Sequence, residues 1–352
     1  MKQLVFRYVV PLLLVSQCSL ASQHWFLERQ NYFEPIAAEP RAARINLTVP
    51  ILASAVPYAQ KPGKFWGWDV ALGAEIPMFG FDSRTDRRRD LQAGEQGFAF
   101  LTPVSFHMME DLGEKSAPSA PILNTDYRFG SMVKYGRGLS ENWRMAVRVV
   151  PIAHESTHLG DEFILAARRN PNFKRVNVSY EYWETAGALT GDRCFGLGVL
   201  IRLGSLPDEV QCRTTVKAGY LRPWGYSNGY YSEDLLAPEG ATILPSINNG
   251  EWHFGFETMP VPTQSKLYRP FVSVDGRFKP VYDYEKTNPS QKEKVQLSWN
   301  VLVGFARRGP QITNDVPFNI FLRFYHGVNP HGQFRNQPNF TLIGFGIYVP
   351  IL

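Results

Sequence analysis

From Lys294 to Ala306 apolar and polar side chains alternate. Val295, Leu297, Trp299, Val301, Val303 and Phe305 fall on one face of an extended strand, and Lys294, Gln296, Ser298 and Asn300 begin the other. The same period of two recurs along the chain. In 251–258, Trp252, Phe254 and Phe256 oppose Glu251, His253, Gly255 and Glu257. In 176–185, Val176, Val178, Tyr180 and Tyr182 oppose Asn177, Ser179 and Glu181. In 195–204, Phe195, Leu197, Val199, Ile201 and Leu203 oppose Gly196, Gly198 and Arg202; in 317–326, Ile320, Leu322 and Phe324 oppose Asn319 and Arg323. Similar stretches lie near 45–54, 66–79, 95–107, 126–135, 143–153, 212–222, 267–278 and 339–351. Each of these roughly ten-residue stretches is bounded by Gly, Pro, Asn or Asp.

Two architectures accept such strands. A soluble sandwich buries one face and wets the other. A transmembrane barrel shows the apolar face to lipid and encloses a polar lumen. Strands of about ten residues are long enough to span a bilayer, and the apolar faces are rich in Trp, Tyr and Phe. The chain also ends on a strand pattern, Gly344 to Leu352, although Pro350 suits only an edge or unbonded position there. The fold class is therefore all-β, an antiparallel transmembrane β-barrel with a polar lumen. Closure asks for an even number, so twelve strands are expected, with fourteen as the alternative.

Residues 1–21 carry Lys2 and Arg7, an apolar stretch from Tyr8 to Val15, and Ser19-Leu20-Ala21. This is the pattern of a cleaved secretory signal peptide. Residues 22–44, with Pro35 and Pro40, precede the first strand and are expected as a periplasmic or lumen-inserted segment; 45–352 form the barrel. Removing Lys2 and Arg7 lowers the formal charge from +5 to +3, too mild a balance to point to nucleic acid. Cys194 and Cys212 remain, but in a hairpin turning near Pro207 they fall out of register, which argues against a simple cross-strand disulfide. The turn-rich stretch 223–250, with Trp224, Tyr226, Tyr230 and Tyr231, reads as an extracellular loop.

Residues 148–163, RVVPIAHESTHLGDEF, look like chemistry. His154-Glu155-Ser156-Thr157-His158 spells H-E-x-x-H, a zinc motif when helical. On a helix, residues four apart are neighbours; on a strand they are ~13 Å apart. Because the preceding residues alternate, the stretch is expected as strand, with no metal and no cofactor. As a strand, strict alternation puts Arg148, His154, Ser156 and His158 on one face, which Arg148 assigns to the lumen. Outer-membrane acyl hydrolases of the phospholipase A and lipid A deacylase kinds use such an H-x-S pair, with a polar partner orienting the His. Glu162, Asp161 or Glu181 could fill that role. Such enzymes need the pair on the lipid side, so the face assignment argues against catalysis. It favours a polar cluster inside the barrel, completed by Asn177, Ser179 and Glu181.

Several stretches carry a family resemblance: Glu34-Pro35, Ala38-Glu39-Pro40-Arg41, Thr125-Asp126-Tyr127, His154 to Phe163, Arg175 to Glu181, and Tyr325 to Phe334. With these the chain resembles a bacterial family known only as domain of unknown function 1207. Around the first His the family pattern looks like H-x-S-[ST]-H-L-G-D-E, so Glu155 is not one of its fixed positions. The resemblance implies an exported, outer-membrane-like β protein and carries no activity.

The leading expectation is an outer-membrane barrel that passes or binds a solute through a charged lumen. Its assigned inward charges are Arg148, Arg202, Arg213, Lys217, Arg269, Arg277 and Arg323 against Glu181, Glu251, Glu257 and Asp275. That mildly cationic set would favour an anionic or other small-molecule solute. Arg148, His154, Ser156, His158, Asp161, Glu162 and Glu181 are the candidate ligand-binding residues, and outer-membrane lipid is the expected partner. The alternatives are an acyl hydrolase using His154, Ser156 and Glu162, for which no hydrolysis is expected, and a purely structural surface barrel.

Overall fold

The computed structural model describes residues 23–26, 32–33, 35–40, 42–53, 67–84, 90–112, 122–158, 175–192, 212–233, 242–244, 250–260, 269–281, 294–307, 318–331 and 339–349. The expected signal peptide, the 195–204 strand, Cys194, Asp161 and Glu162 lie outside them, as do the side chains of His158 and Cys212.

Among the described residues fourteen strands follow in chain order: β1 (Gln23–Phe26), β2 (Ile45–Ala53), β3 (Gly67–Asp82), β4 (Gln96–Asp111), β5 (Ile122–Gly138), β6 (Trp143–His158) and β7 (Arg175–Gly191). They continue with β8 (Cys212–Glu233), β9 (Thr242–Leu244), β10 (Glu251–Pro260), β11 (Arg269–Val281), β12 (Lys294–Arg307), β13 (Phe318–Gly327) and β14 (Phe340–Val349). Twelve of them, β2 to β8 and β10 to β14, pair antiparallel with their neighbours and close, β14 on β2. Short β1 adds to the end of β3, and β9 to β8. Each barrel strand is paired on both sides, the condition lipid imposes on a spanning sheet. The stretch 223–250 differs from its expected loop: β8 continues to Glu233 and β9 pairs back onto it.

The outer face carries the apolar set. Trp252, Phe254, Val295, Leu297, Trp299, Val303 and Phe305 are exposed, and Phe256 and Val301 share their side. Aromatic rings meet across strands toward both ends. Trp183 packs edge-on to Tyr220 at 5.5 Å and Tyr220 lies 4.6 Å from Trp252, while Phe79 stacks on Phe100 at 5.2 Å. Girdles of this kind mark the bilayer interfaces of outer-membrane barrels. Val303→Arg, in mid-strand on this face, should destabilise the barrel in lipid vesicles by about 2–4 kcal/mol. A change below about 0.5 kcal/mol in vesicle unfolding would mean that Val303 does not face acyl chains.

The lumen is filled rather than open across its middle. Residues 32–33, 35–40 and 42–44 lie inside the barrel, with Phe33, Ile36, Ala37, Ala38 and Glu39 buried. Two barrel glycines make room for them: a Cβ at Gly97 would come within 2.2 Å of the Tyr32 ring, and one at Gly255 within 2.4 Å of Ile36 Cδ1. Wall side chains then bind the inserted backbone. Ser273 Oγ accepts from the Ala38 amide at 2.9 Å, and Asn300 Nδ2 donates to the Ala38 carbonyl at 2.6 Å.

Glu39 is the hub of the buried charges. Its Oε1 meets Arg148 at 2.9 Å and its Oε2 meets Lys217 at 2.6 Å, with Arg277 at 3.9 Å. Burial alone would raise the Glu39 pKa, but these cations outweigh it and hold the carboxyl well below the usual carboxylate range. Arg148 also pairs with Glu184, and Lys217 with Asp275 at 3.3 Å. Toward the end where β6 finishes, the segment after β13 folds inward. His331 reaches Asp69 at 3.6 Å and Asp126 at 4.0 Å. Between the two inserted segments lies a cavity of about 30 Å³, lined by Asp69, His107, Asp126, Arg128, Glu155 and His331 among others. It has room for about one water.

Candidate functional site

Residues 154–158 belong to strand β6, so H-E-x-x-H lacks the helical spacing that brings two imidazoles onto one metal. Among the described residues no cluster of His, Cys, Asp and Glu is placed to hold a metal ion.

The face assignment of this stretch is corrected by one residue of backbone. Against β7, Val150 pairs with Glu184 but Ala153 pairs with Tyr182, so β6 uses two residues where β7 uses one. The pairing with β5 shifts at the same place, between Ser131 and Val133. This is a β-bulge at Pro151-Ile152, and Pro, which has no N–H for the ladder, belongs at such a position. Before the bulge, Arg148 and Val150 point into the lumen. Pro151 and Ile152 both point out, and beyond them Ala153, Glu155 and Thr157 turn inward, all buried. Inside, Tyr180 Oη donates to Glu155 Oε2 at 2.9 Å, and Thr157 Oγ1 donates to Asp126 Oδ1 at 2.7 Å.

His154 and Ser156 consequently stand on the outer face, opposite to Arg148. Their cross-strand neighbours agree: Phe129, 55% exposed, is the Cα partner of His154, and Tyr127, 43% exposed, that of Ser156. The Phe129 and His154 rings lie 5.3 Å apart. The β7 assignment inverts as well. Tyr180 and Tyr182 are buried in the lumen, where Arg128 lies over the Tyr182 ring, while Ser179 and Glu181 share the outer face with His154. The alternation in 176–185 predicts Tyr180 and Tyr182 on the lipid face, but an apolar side chain suits lipid and a packed lumen equally. Here the lumen is packed with them.

On that outer face Glu181 Oε1 lies 3.3 Å from His154 Nδ1, both side chains about one quarter exposed. His154 Nε2 lies 3.5 Å from Ser179 Oγ. Ser156 and Ser179 are Cα partners on β6 and β7. The carboxylate fixes the ring: with Nδ1–H donated to Glu181, Nε2 carries the lone pair and can accept a hydroxyl proton. A serine, a histidine and an orienting carboxylate on adjacent strands form the constellation of nucleophilic acyl transfer. Of the expected site residues, His154, Ser156 and Glu181 come together and Arg148 does not. Asn177 belongs to β7, with its side chain outside the described set. Sequence reasoning placed Ser179 in a lumenal network; the Pro within a strand pattern was the signal that could have moved it outward.

The outward residues of β6 also locate the site in height. Val149 and Ile152 are exposed and apolar; His154 and Ser156 follow them toward the strand end. The polar trio therefore sits where the apolar band gives way, with Tyr127 beside it.

Among solved structures, the chain is similar to outer membrane phospholipase A from Escherichia coli, at 11% identity, covering 92% of this chain and 95% of that one with a TM-score of 0.45. It is also similar to the β domain of the Bordetella autotransporter BrkA (10% identity, 88% and 99% covered, TM-score 0.39) and to the CymD monoaromatic hydrocarbon channel (6% identity, 89% and 90% covered, TM-score 0.38). No curated protein matches the chain. The family profile described as protein of unknown function DUF1207 matches residues 16–224, more than half of the sequence, and the chain belongs to that family.

Proposed function

We propose that this protein is an outer-membrane acyl hydrolase that cleaves ester-linked acyl chains of membrane lipid from the lipid-facing side of its barrel. One observation carries the reading: the bulge at Pro151-Ile152 turns His154 outward, onto Glu181 and beside a serine hydroxyl, at the border of the apolar band. A lipid ester lies at that depth, between its acyl chain and its headgroup. The phenyl ring of Phe129 and the side chain of Ile152 offer the chain an apolar surface below the site. The four-residue turn between β5 and β6 lies at the barrel end remote from the site. Short turns are periplasmic in such barrels, so the leaflet served is the external one. The signal peptide expected from residues 1–21 would fit this placement.

In the reaction, His154 Nε2 takes the serine proton as the oxygen attacks the ester carbonyl carbon. Glu181 stabilises the imidazolium that forms, and the proton passes to the departing alcohol. The solute-carrying reading draws on the charged lumen, but Glu39 and its cations stand across it and the inserted segment around Glu39 would have to move. A structural barrel needs no outward carboxylate–imidazole pair, which is costly in lipid without a use.

The test is fatty-acid release from phospholipid and from lipid A in mixed micelles. Wild type should release fatty acid from at least one, and His154→Ala should lower the rate by roughly 10²–10⁴-fold, the usual contribution of a general base. Wild-type protein that releases none from either substrate would end the proposal.

A further inference from the structure

We infer that Ser179, across the strand pair from the H-x-S motif, is the nucleophile of this site; the inference rests on the hydrolase reading above. Both ring nitrogens of His154 face β7. Nδ1 is 3.3 Å from Glu181 and Nε2 is 3.5 Å from Ser179, two residues earlier on the same strand. Alternate residues of a strand are ~6.6 Å apart, a gap that an imidazole spans with one nitrogen toward each. The ring thus lies along β7, held at one end by the carboxylate and turned at the other toward a hydroxyl. The Nε2 lone pair lies in the ring plane and points one way. With Nδ1 held on Glu181, which fixes the tautomer, that direction is along β7 toward Ser179. A distance of 3.5 Å is long for a hydrogen bond, yet it is of the kind that tightens when substrate closes the site.

The chemistry balances with the groups present, lipid and water. Ser179 Oγ gives its proton to His154 Nε2 and forms a bond to the ester carbonyl carbon. The tetrahedral intermediate expels the lipid alkoxide, which takes the proton from Nε2, leaving an acyl-Ser179 ester. Water then gives a proton to Nε2 and attacks the same carbon. Collapse breaks the acyl–Oγ bond, Oγ regains the proton, and fatty acid leaves.

The two serines fall in different tryptic peptides, residues 149–168 for Ser156 and 176–193 for Ser179, so one experiment separates them. The folded full-length protein in detergent is treated with a fluorophosphonate, its peptides are weighed, and fatty-acid release is measured on the same samples. The adduct is expected on 176–193 in wild type and in Ser156→Ala. It should be absent in Ser179→Ala, whose release falls at least a thousandfold while its β-sheet circular dichroism is unchanged. Ser179→Cys, which keeps a nucleophile in place, should regain labelling on 176–193 with a thiol reagent at a rate that falls in Glu181→Ala. An adduct on 149–168 that survives Ser179→Ala overturns the inference and leaves the hydrolase reading standing with Ser156 as nucleophile. Fatty-acid release without an adduct on either serine overturns it too. Neither adduct nor release from wild type overturns both.

Discussion

Glu39→Ala is expected to destabilise the folded barrel by about 3 kcal/mol, roughly a hundredfold in the folding equilibrium. Removing one member of a buried ion pair ordinarily costs about 3–5 kcal/mol because a charge is left without compensation. The lower end applies because the three cations around Glu39 keep other partners: Arg148 keeps Glu184, Lys217 keeps Asp275, and Arg277 keeps Asp275 at 2.9 Å. The effect should depend on pH in a fixed direction. The native Glu39 carboxyl is held well below the usual range, while an unfolded Glu titrates near ~4.3. Its contribution is therefore complete above about pH 4.3 and is lost as pH falls through the native value. Wild-type stability should fall with acid across that window, and Glu39→Ala should show a shallower fall. Urea unfolding in vesicles at neutral and acid pH measures both. A loss under 1 kcal/mol at neutral pH, or parallel pH profiles, would show that Glu39 is not the hub of the lumen.

How much of this was legible follows from which signals alternate. Strand β12 reads cleanly because Val295 to Phe305 faces lipid while Gln296, Ser298 and Asn300 face the lumen, and the observed strand differs from the expected one only at Arg307. Strand β7 was expected to stop near 185 but runs to Gly191, because Ala186, Gly187 and Ala188 are too small to carry an amphipathic signal. Glu39 could not be found from pattern at all. Its partners Arg148 and Lys217 lie 109 and 178 residues away, and only closure of the barrel brings them onto one inserted segment. The candidate site was legible in its residues but not in its direction. His154, Ser156, Ser179 and Glu181 all stood out, yet a period of two counted from Arg148 sends His154 and Ser156 inward. A single extra residue at a bulge reverses every side chain beyond it, and Pro151 was the one mark of that reversal. Reversing it removes the objection that had set catalysis aside.

Glu181→Ala should lower fatty-acid release by roughly 10²–10⁴-fold, close to the loss on removing His154 itself, because groups that act as a unit lose their effect together. Without the carboxylate nothing holds the Nδ1 proton, so the imidazole samples the tautomer that presents N–H rather than a lone pair at Nε2. Nor does any charge then stabilise the imidazolium as the serine oxygen attacks. Glu181 touches His154 and not the ester, so it is a positioning residue, and its loss should appear in kcat with KM little changed. Glu181→Gln keeps an oxygen that can accept from Nδ1–H and should recover part of the rate, whereas Glu181→Leu, of similar volume, should recover none. Folding should change little in either variant, since Glu181 stands on the outer face about one quarter exposed, apart from the buried charges that hold the lumen together. The double variant His154→Ala with Glu181→Ala should be no slower than His154→Ala alone. Additive losses in that cycle would mean that Glu181 acts on something other than His154, and the outward pair would then lose its role as a catalytic unit.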